Sequence, residues 1–246
     1  MTRDKRGSGS RRRVMSSAML PRSWSDFLRV DDNKKELFAF LSGYIAGMSI
    51  DAGKQVVVTD GCHMLSYPLT ECVNTSILDP CSHEEADTRL LLHVADAVSK
   101  GHKNLMIRTV DTDVVVIALN CFQRLSSVHL WIAFGVGKSF RYTAIHELAA
   151  SLGPDHSCGI AFFHAFTGCD TVSSFAGHGK KGAFDAWLSF PEVTTAFMRL
   201  SSEPVDVTDC MPLLERFVVR LYDRSSSKTA VNAARKHLHY GISATN

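Results

Sequence analysis

The sequence predicts an α/β protein: a mostly parallel sheet flanked by helices, with a helical C-terminal region. Three observations carry that expectation. Short β-branched runs, "KQVVVTDG", "NLMIRTV" and "VHLWIAFG", alternate with longer stretches at helical spacing, the order that builds parallel sheets. Beyond Ala183 the pattern is helical throughout, most clearly in "MPLLERFVVRLY". The 246 residues are 45% hydrophobic and 21% charged, enough to bury one substantial core.

Taken in order, residues 1–22 read as a basic, disordered leader, with Arg3, Lys5, Arg6, Arg11, Arg12 and Arg13 in a Gly/Ser-rich tail that cannot bury a core. "SWSDFLRVDDNKKELFAFLSGYIAG" places Phe27, Leu28, Leu37, Phe38 and Leu41 at helical spacing. "KQVVVTDG" predicts a buried strand closed by Asp60-Gly61, and residues 62–81 read as irregular around Pro68 and Pro80. Ser82 and Glu85 form a capping box for a helix that runs to Gly101, with Ala86, Leu90, Val94 and Ala97 as its apolar stripe. "NLMIRTV" is the next strand. "DTDVVVIALNCFQRL" is β-branched like a strand, but its length favours a helix that Asp113 could cap. "VHLWIAFG" is a strand, and "YTAIHELAASLG" a helix ended by Gly153-Pro154. "CGIAFFHAFTGCD" leads, as helix or strand and then turn, into "TVSSFAGHGKKGAFDAW"; "KTAVNAARKHLHY" is the last helix. These readings divide the chain into the leader 1–22, a sheet-bearing domain 23–190 and a helical extension 191–246.

Composition excludes several classes. No apolar run reaches the roughly 18 residues of a membrane span. The basic start has no apolar stretch behind it, so no secretory signal is expected and no membrane partner. The odd count of seven cysteines, with no C-x-x-C, argues against a disulfide framework and for a reducing, intracellular setting. Cys62, His63, Cys72, Cys81 and His83 lie close in sequence but follow no finger spacing. Net charge is only +2, so basic character is local: the leader reads either as solvated tail or as a nuclear-targeting, phosphate-contacting arm, and a nuclear location is favoured. "GVGKS" at Gly135 to Ser139 imitates half a phosphate loop but lacks the first glycine, and no Ser-His-Asp order is present.

The informative residues are acids. Asp111 and Asp113 directly follow "NLMIRTV", and Asp60 follows "KQVVVT", both at the carboxyl ends where α/β sheets carry their sites. Glu85 and Asp87 flank Ala86, each about 100° away on a helix, and can lean toward the sheet; Glu84 with Asp87 is a competing pair directed to solvent. Carboxylates crowded at one sheet end raise one another's pKa, and a hard divalent cation, Mg²⁺ or Mn²⁺, relieves that repulsion. Acids in a helix's first turn and at strand ends also have ordinary local uses.

The ordered set "EAD" (Glu85 to Asp87), "DTD" (Asp111 to Asp113), "GCD" (Gly168 to Asp170) and "GHGKKGA" (Gly177 to Ala183) resembles the 5′ nuclease group of the PIN-like superfamily, the flap endonucleases and their relatives. The likeness spans about residues 82–187. It implies a PIN-like fold over 23–190 and hydrolysis of DNA or RNA phosphodiesters with one or two Mg²⁺ or Mn²⁺ ions. Glu85, Asp87, Asp111, Asp113 and Asp170 would serve as metal ligands, with Asp60 the least secure addition and Glu85, Asp111, Asp113 and Asp170 as the catalytic acids. Gly177, Gly179, Lys180 and Lys181 would hold the nucleic-acid backbone without reading bases. The chain departs from the family by lacking its first-strand aspartate and by leaving no room between Asp60 and Glu85 for the helical arch. The alternative is therefore a catalytically incomplete module that binds nucleic acid or protein, and the chain reads as a divergent or truncated member.

Overall fold

The computed structural model describes residues 10–60, 63–68, 78–79, 86–125, 128–170, 172–202 and 206–243. The chain divides into two compact units, residues 1–84 and 85–246.

In the first unit the long helical stretch is two helices, α1 (Trp24–Leu28) and α2 (Asp31–Ala46), because Val30 turns extended (φ −93°, ψ 114°) between them. Ser23 caps α1 by accepting from Asp26 N. Asn33, fully buried, ties residues 10–12 to this pair: its Nδ2 donates to Phe27 O (3.0 Å) and Ser10 O (3.2 Å), and its Oδ1 accepts from Arg12 N (2.8 Å). "KQVVVTDG" does form strand β1 (Val56–Asp60), but as one arm of a hairpin with β2 (His63–Tyr67), a strand the sequence reading treated as irregular. Val56 to Thr59 are half-buried rather than buried, as a two-stranded ribbon requires, since it has no second layer of strands to enclose it.

The second unit opens with α3 (Ala86–Ser99), where Leu91 and Val94 are buried and Ala86 is exposed, so the apolar stripe is rotated from the expected one. Strand β3 (Asn104–Thr109), helix α4 (Thr112–Phe122) and strand β4 (His129–Phe134) follow, with β3 and β4 parallel. The β-branched segment is thus a helix, and Asp111, not Asp113, is its N-cap. Strand β5 (Arg141–Ala144) pairs antiparallel with β4. The expected mostly parallel sheet is therefore a three-stranded mixed one, ordered β3-β4-β5. The reason is connection length: residues 135–140 are too few for the dozen or so that a parallel crossover takes. Helices α5 (Ile145–Leu152), α6 (Pro154–Phe166), α7 (Lys180–Leu188), α8 (Thr194–Ser202), α9 (Met211–Tyr222) and α10 (Val231–Ser243) complete the unit. Among the described residues no helix is long and apolar enough to cross a membrane.

Two cores result. One gathers Leu91, Val94, Ile107, Val114, Ala118, Leu130, Ile132 and Ile145 between one face of the sheet and α3, α4 and α5. The other gathers Phe163, Trp187, Phe197, Leu214 and Phe217 among α6 to α9, so the helices on either side of residue 190 share one apolar interior. Ile160 of α6 packs against both. Gly159 allows α6 to approach α8: a Cβ there would lie 3.0 Å from Phe197 Cβ. Trp187, fully buried, donates from Nε1 to Thr194 Oγ1 (2.8 Å).

Candidate functional site

The site is built where β3 hands over to α4. Thr109 Oγ1 accepts from Asp111 N (3.0 Å), and Asp111 Oδ1 accepts from Asp113 N (2.9 Å). These bonds satisfy donors that the first helical turn leaves open, and the positive end of the helix dipole favours both carboxylates. Asp111 is exposed, and the Asp113 side chain is 40% exposed.

The last turn of α6 meets this point. His164 Nε2 lies 3.0 Å from Asp113 Oδ1. Lys180, the first residue of α7, then closes the group from the other side. Its ammonium donates to the His164 carbonyl and to Thr167 Oγ1 (2.9 Å), and sits 5.9 Å from the Phe163 ring centroid. Thr167, buried, passes the chain on by donating to Phe163 O (2.7 Å). Burial pulls the Lys180 ammonium below its ordinary range, while the negative charges of Cys169 and Asp113 work against that. The D-x-D segment, the end of α6 and the glycine turn, far apart in sequence, are thus linked by consecutive polar contacts.

The intervening loop has one demanding position. Gly168 has φ +102°, and a Cβ there would stand 2.6 Å from Ser174 Cβ and 2.7 Å from Ser174 Cα. Gly177 also has positive φ (+76°) but open space around it, whereas Gly179 is ordinary extended backbone (φ −85°) and serves as the N-cap position of α7. Only the first of the two turn glycines therefore has a conformational requirement. Asp170 is exposed in a tight turn where Val172 N donates to Cys169 O (3.1 Å). Of the two turn lysines, Lys181 is exposed and Lys180 faces inward.

The remaining acids stand as follows. Asp87 is half-buried in the first turn of α3. Glu85, with the capping box it shares with Ser82, lies outside the described residues, as do Cys62, Cys72, Cys81 and His83. Asp60 ends β1 in the first unit, and its side chain is likewise outside them. Among the described residues no group of three or more His, Cys, Asp or Glu is arranged to hold a metal ion. Asp87, Asp111, Asp113 and Asp170 thus make no closed cage between them. Among the described residues Cys121, Cys158, Cys169 and Cys210 form no disulfide.

Sequence reasoning missed the roles of His164 and Thr167. Their helical register was available, since both fall where α6 ends, but nothing local marks Asp113 as the partner of one and Lys180 as the partner of both. No protein-family model matches the chain, and neither a curated protein nor a solved structure matches it.

Proposed function

We propose that the chain is a PIN-like, 5′ nuclease-type phosphodiesterase acting on nucleic acid with Mg²⁺ or Mn²⁺. The observation that carries this reading is the meeting of the D-x-D segment with the glycine turn through Asp113, His164 and Lys180. In the proposed role Asp111 and Asp113 are the ion's carboxylates. Their donor set fits a hard ion that keeps several waters and takes only one or two carboxylates. Such an ion, when bound, supplies Lewis acidity toward a phosphate and acidifies a water. His164 holds the Asp113 carboxylate in one orientation, and Lys180 fixes the end of α6 that carries His164. Exposed Lys181 and the Gly177 and Gly179 N–H groups take the phosphate backbone, which positions a strand without reading sequence, while His178 N is engaged with Phe175 O (3.1 Å). Glu85, Asp87 and Asp170 are the further acids of this proposal, and the basic residues of the leader are its nuclear-targeting arm.

A second reading is binding without cleavage. It is favoured by the lack of any three-ligand group among the described residues. One experiment separates the two: labelled single-stranded, flap and hairpin DNA is incubated with the protein in Mn²⁺ and in chelator. Cleavage that disappears in chelator and in Asp111→Asn supports the phosphodiesterase. Binding with no cleavage under any condition removes it and leaves the module.

A further inference from the structure

We infer that the open face of the three-stranded sheet is a stacking platform for the unpaired bases of a single-stranded nucleic acid, separate from the Asp111–Asp113 site. Strand alternation divides the sheet cleanly. Ile107, Leu130 and Ile132 point into the core. The register sets Met106 beside Trp131, and Arg108 and Tyr142 on either side of Ala133, on the opposite face. There the large side chains stay in solvent: Met106 is 66% exposed, Tyr142 61%, Phe140 41% and Trp131 37%.

The rings are held in place. Phe140 meets Tyr142 edge to face (centroids 5.1 Å, 84°), and Trp131 meets His146 in the same way (5.3 Å, 73°). Arg108 lies along the face with its guanidinium donating to the Ala133 (3.0 Å) and Gly135 (2.6 Å) carbonyls, and with Cζ 5.3 Å from the Phe140 centroid. A platform whose rings are already fixed loses little rotamer freedom when a flat ligand lands on it.

Charge selects the ligand. Residues 102–110 and 128–146, which include all three strands and the β4–β5 connection, contain Lys103, Arg108, Lys138 and Arg141 and not one Asp or Glu. On the open face itself the cations are Arg108 and, in the β4–β5 connection, exposed Lys138. Arg141 pairs with core-side Phe134 and lies over its ring, and strand alternation puts Lys103 on the side of core-facing Leu105. The face is thus cationic, with no acid from these segments. Exposed rings within a field of one sign fit a polyanion that also offers π faces, which is the chemistry of single-stranded nucleic acid. A duplex presents the same phosphates but keeps its bases stacked inside, away from the rings. "GVGKS", which is no phosphate loop, has a place here: it makes the tight β4–β5 connection (Gly135 φ +83°, Gly137 φ +52°) and presents exposed Lys138 at the platform's rim.

The test uses the full chain in chelator, where cleavage is absent by design, and a fluorescein-labelled 12-nucleotide oligothymidylate read by anisotropy across a salt series. Trp131→Ala and Tyr142→Ala should each weaken binding by roughly fivefold to a hundredfold. Trp131→Phe should retain most of the affinity, and Lys138→Ala should flatten the salt dependence by about one unit of slope. A duplex of the same length should bind more weakly and respond little to the ring variants. The inference is overturned if both ring variants bind oligothymidylate within twofold of wild type with unchanged melting temperatures. It is also overturned if single strand and duplex bind alike, or if the face proves a protein contact, seen as self-association that Trp131→Ala and Tyr142→Ala abolish. Intact Mn²⁺-dependent cleavage without ring dependence removes this inference alone; ring-dependent binding without cleavage removes the phosphodiesterase alone.

Discussion

Alanine at Gly168 tests how the loop between α6 and α7 is held. Two costs are expected. At φ +102° an L-residue is strained by about 1–2 kcal/mol. The added Cβ would also stand 2.6 Å from Ser174 Cβ and 2.7 Å from Ser174 Cα, where carbon atoms prefer about 3.5–4.0 Å. The Ser174 contact includes backbone, so relief requires moving the loop, an overpacking cost of about 1–3 kcal/mol. Gly177→Ala is the matched control, because φ there is +76° and nothing lies within 4 Å of the new methyl. The control should lose about 1–2 kcal/mol and Gly168→Ala about 2–5 kcal/mol. At roughly 2–4 °C per kcal/mol for a unit of this size, the extra ~1–3 kcal/mol should separate the two melting temperatures by about 2–12 °C in a thermal scan followed by circular dichroism. Equal melting temperatures would refute the close approach of Gly168 to Ser174, and with it the argument that this loop is packed in one geometry.

Three further outcomes are expected. Asp111→Asn keeps an N-capping side chain and should leave the melting temperature within about 2 °C while removing any Mn²⁺-dependent cleavage, whereas Asp111→Ala should also cost about 1 kcal/mol in a urea titration. Trp187→Ala should cost about 3–5 kcal/mol, and Trp187→Phe about 1–3 kcal/mol because the buried Thr194 hydroxyl loses the indole N–H, both read by chemical denaturation. The folded state depresses the Lys180 ammonium from its ordinary value of 10.5, so the unfolded chain binds more protons just below that pH. Stability relative to Lys180→Met should therefore rise as pH climbs toward 10.5 and level off above it; a flat or falling difference in melting temperature would contradict that burial.

Much of the secondary structure was legible because it depends on short-range physics. The length of the 111–125 segment decided for helix against its β-branched composition, and the strands at 104–109 and 129–134 announced themselves by local residue type. The break at Val30 was not legible, since no strong turn signal stands beside it, whereas the hairpin of β1 with β2 was signalled by Asp60-Gly61 between the two runs and could have been weighed. The antiparallel turn of β5 followed from a short connection that could have been weighed, and the exposure of Ala86 from a rotation that only packing against the first core decides.

The sequence by itself determined the α/β class, the helical second half, the absence of an 18-residue apolar run and the seating of Asp111 and Asp113 at a strand's carboxyl end. Each rests on hydrophobic period or on neighbours a few residues apart. Tertiary structure alone decided that Asp113 meets His164 and that Lys180 turns inward to Thr167. It alone decided that no acid cage forms among the described residues, and that one sheet face stays open with Trp131 and Tyr142 in solvent. These are relations between segments dozens of residues apart, set by how helices pack on a twisted sheet, and no local pattern encodes the angle at which they meet.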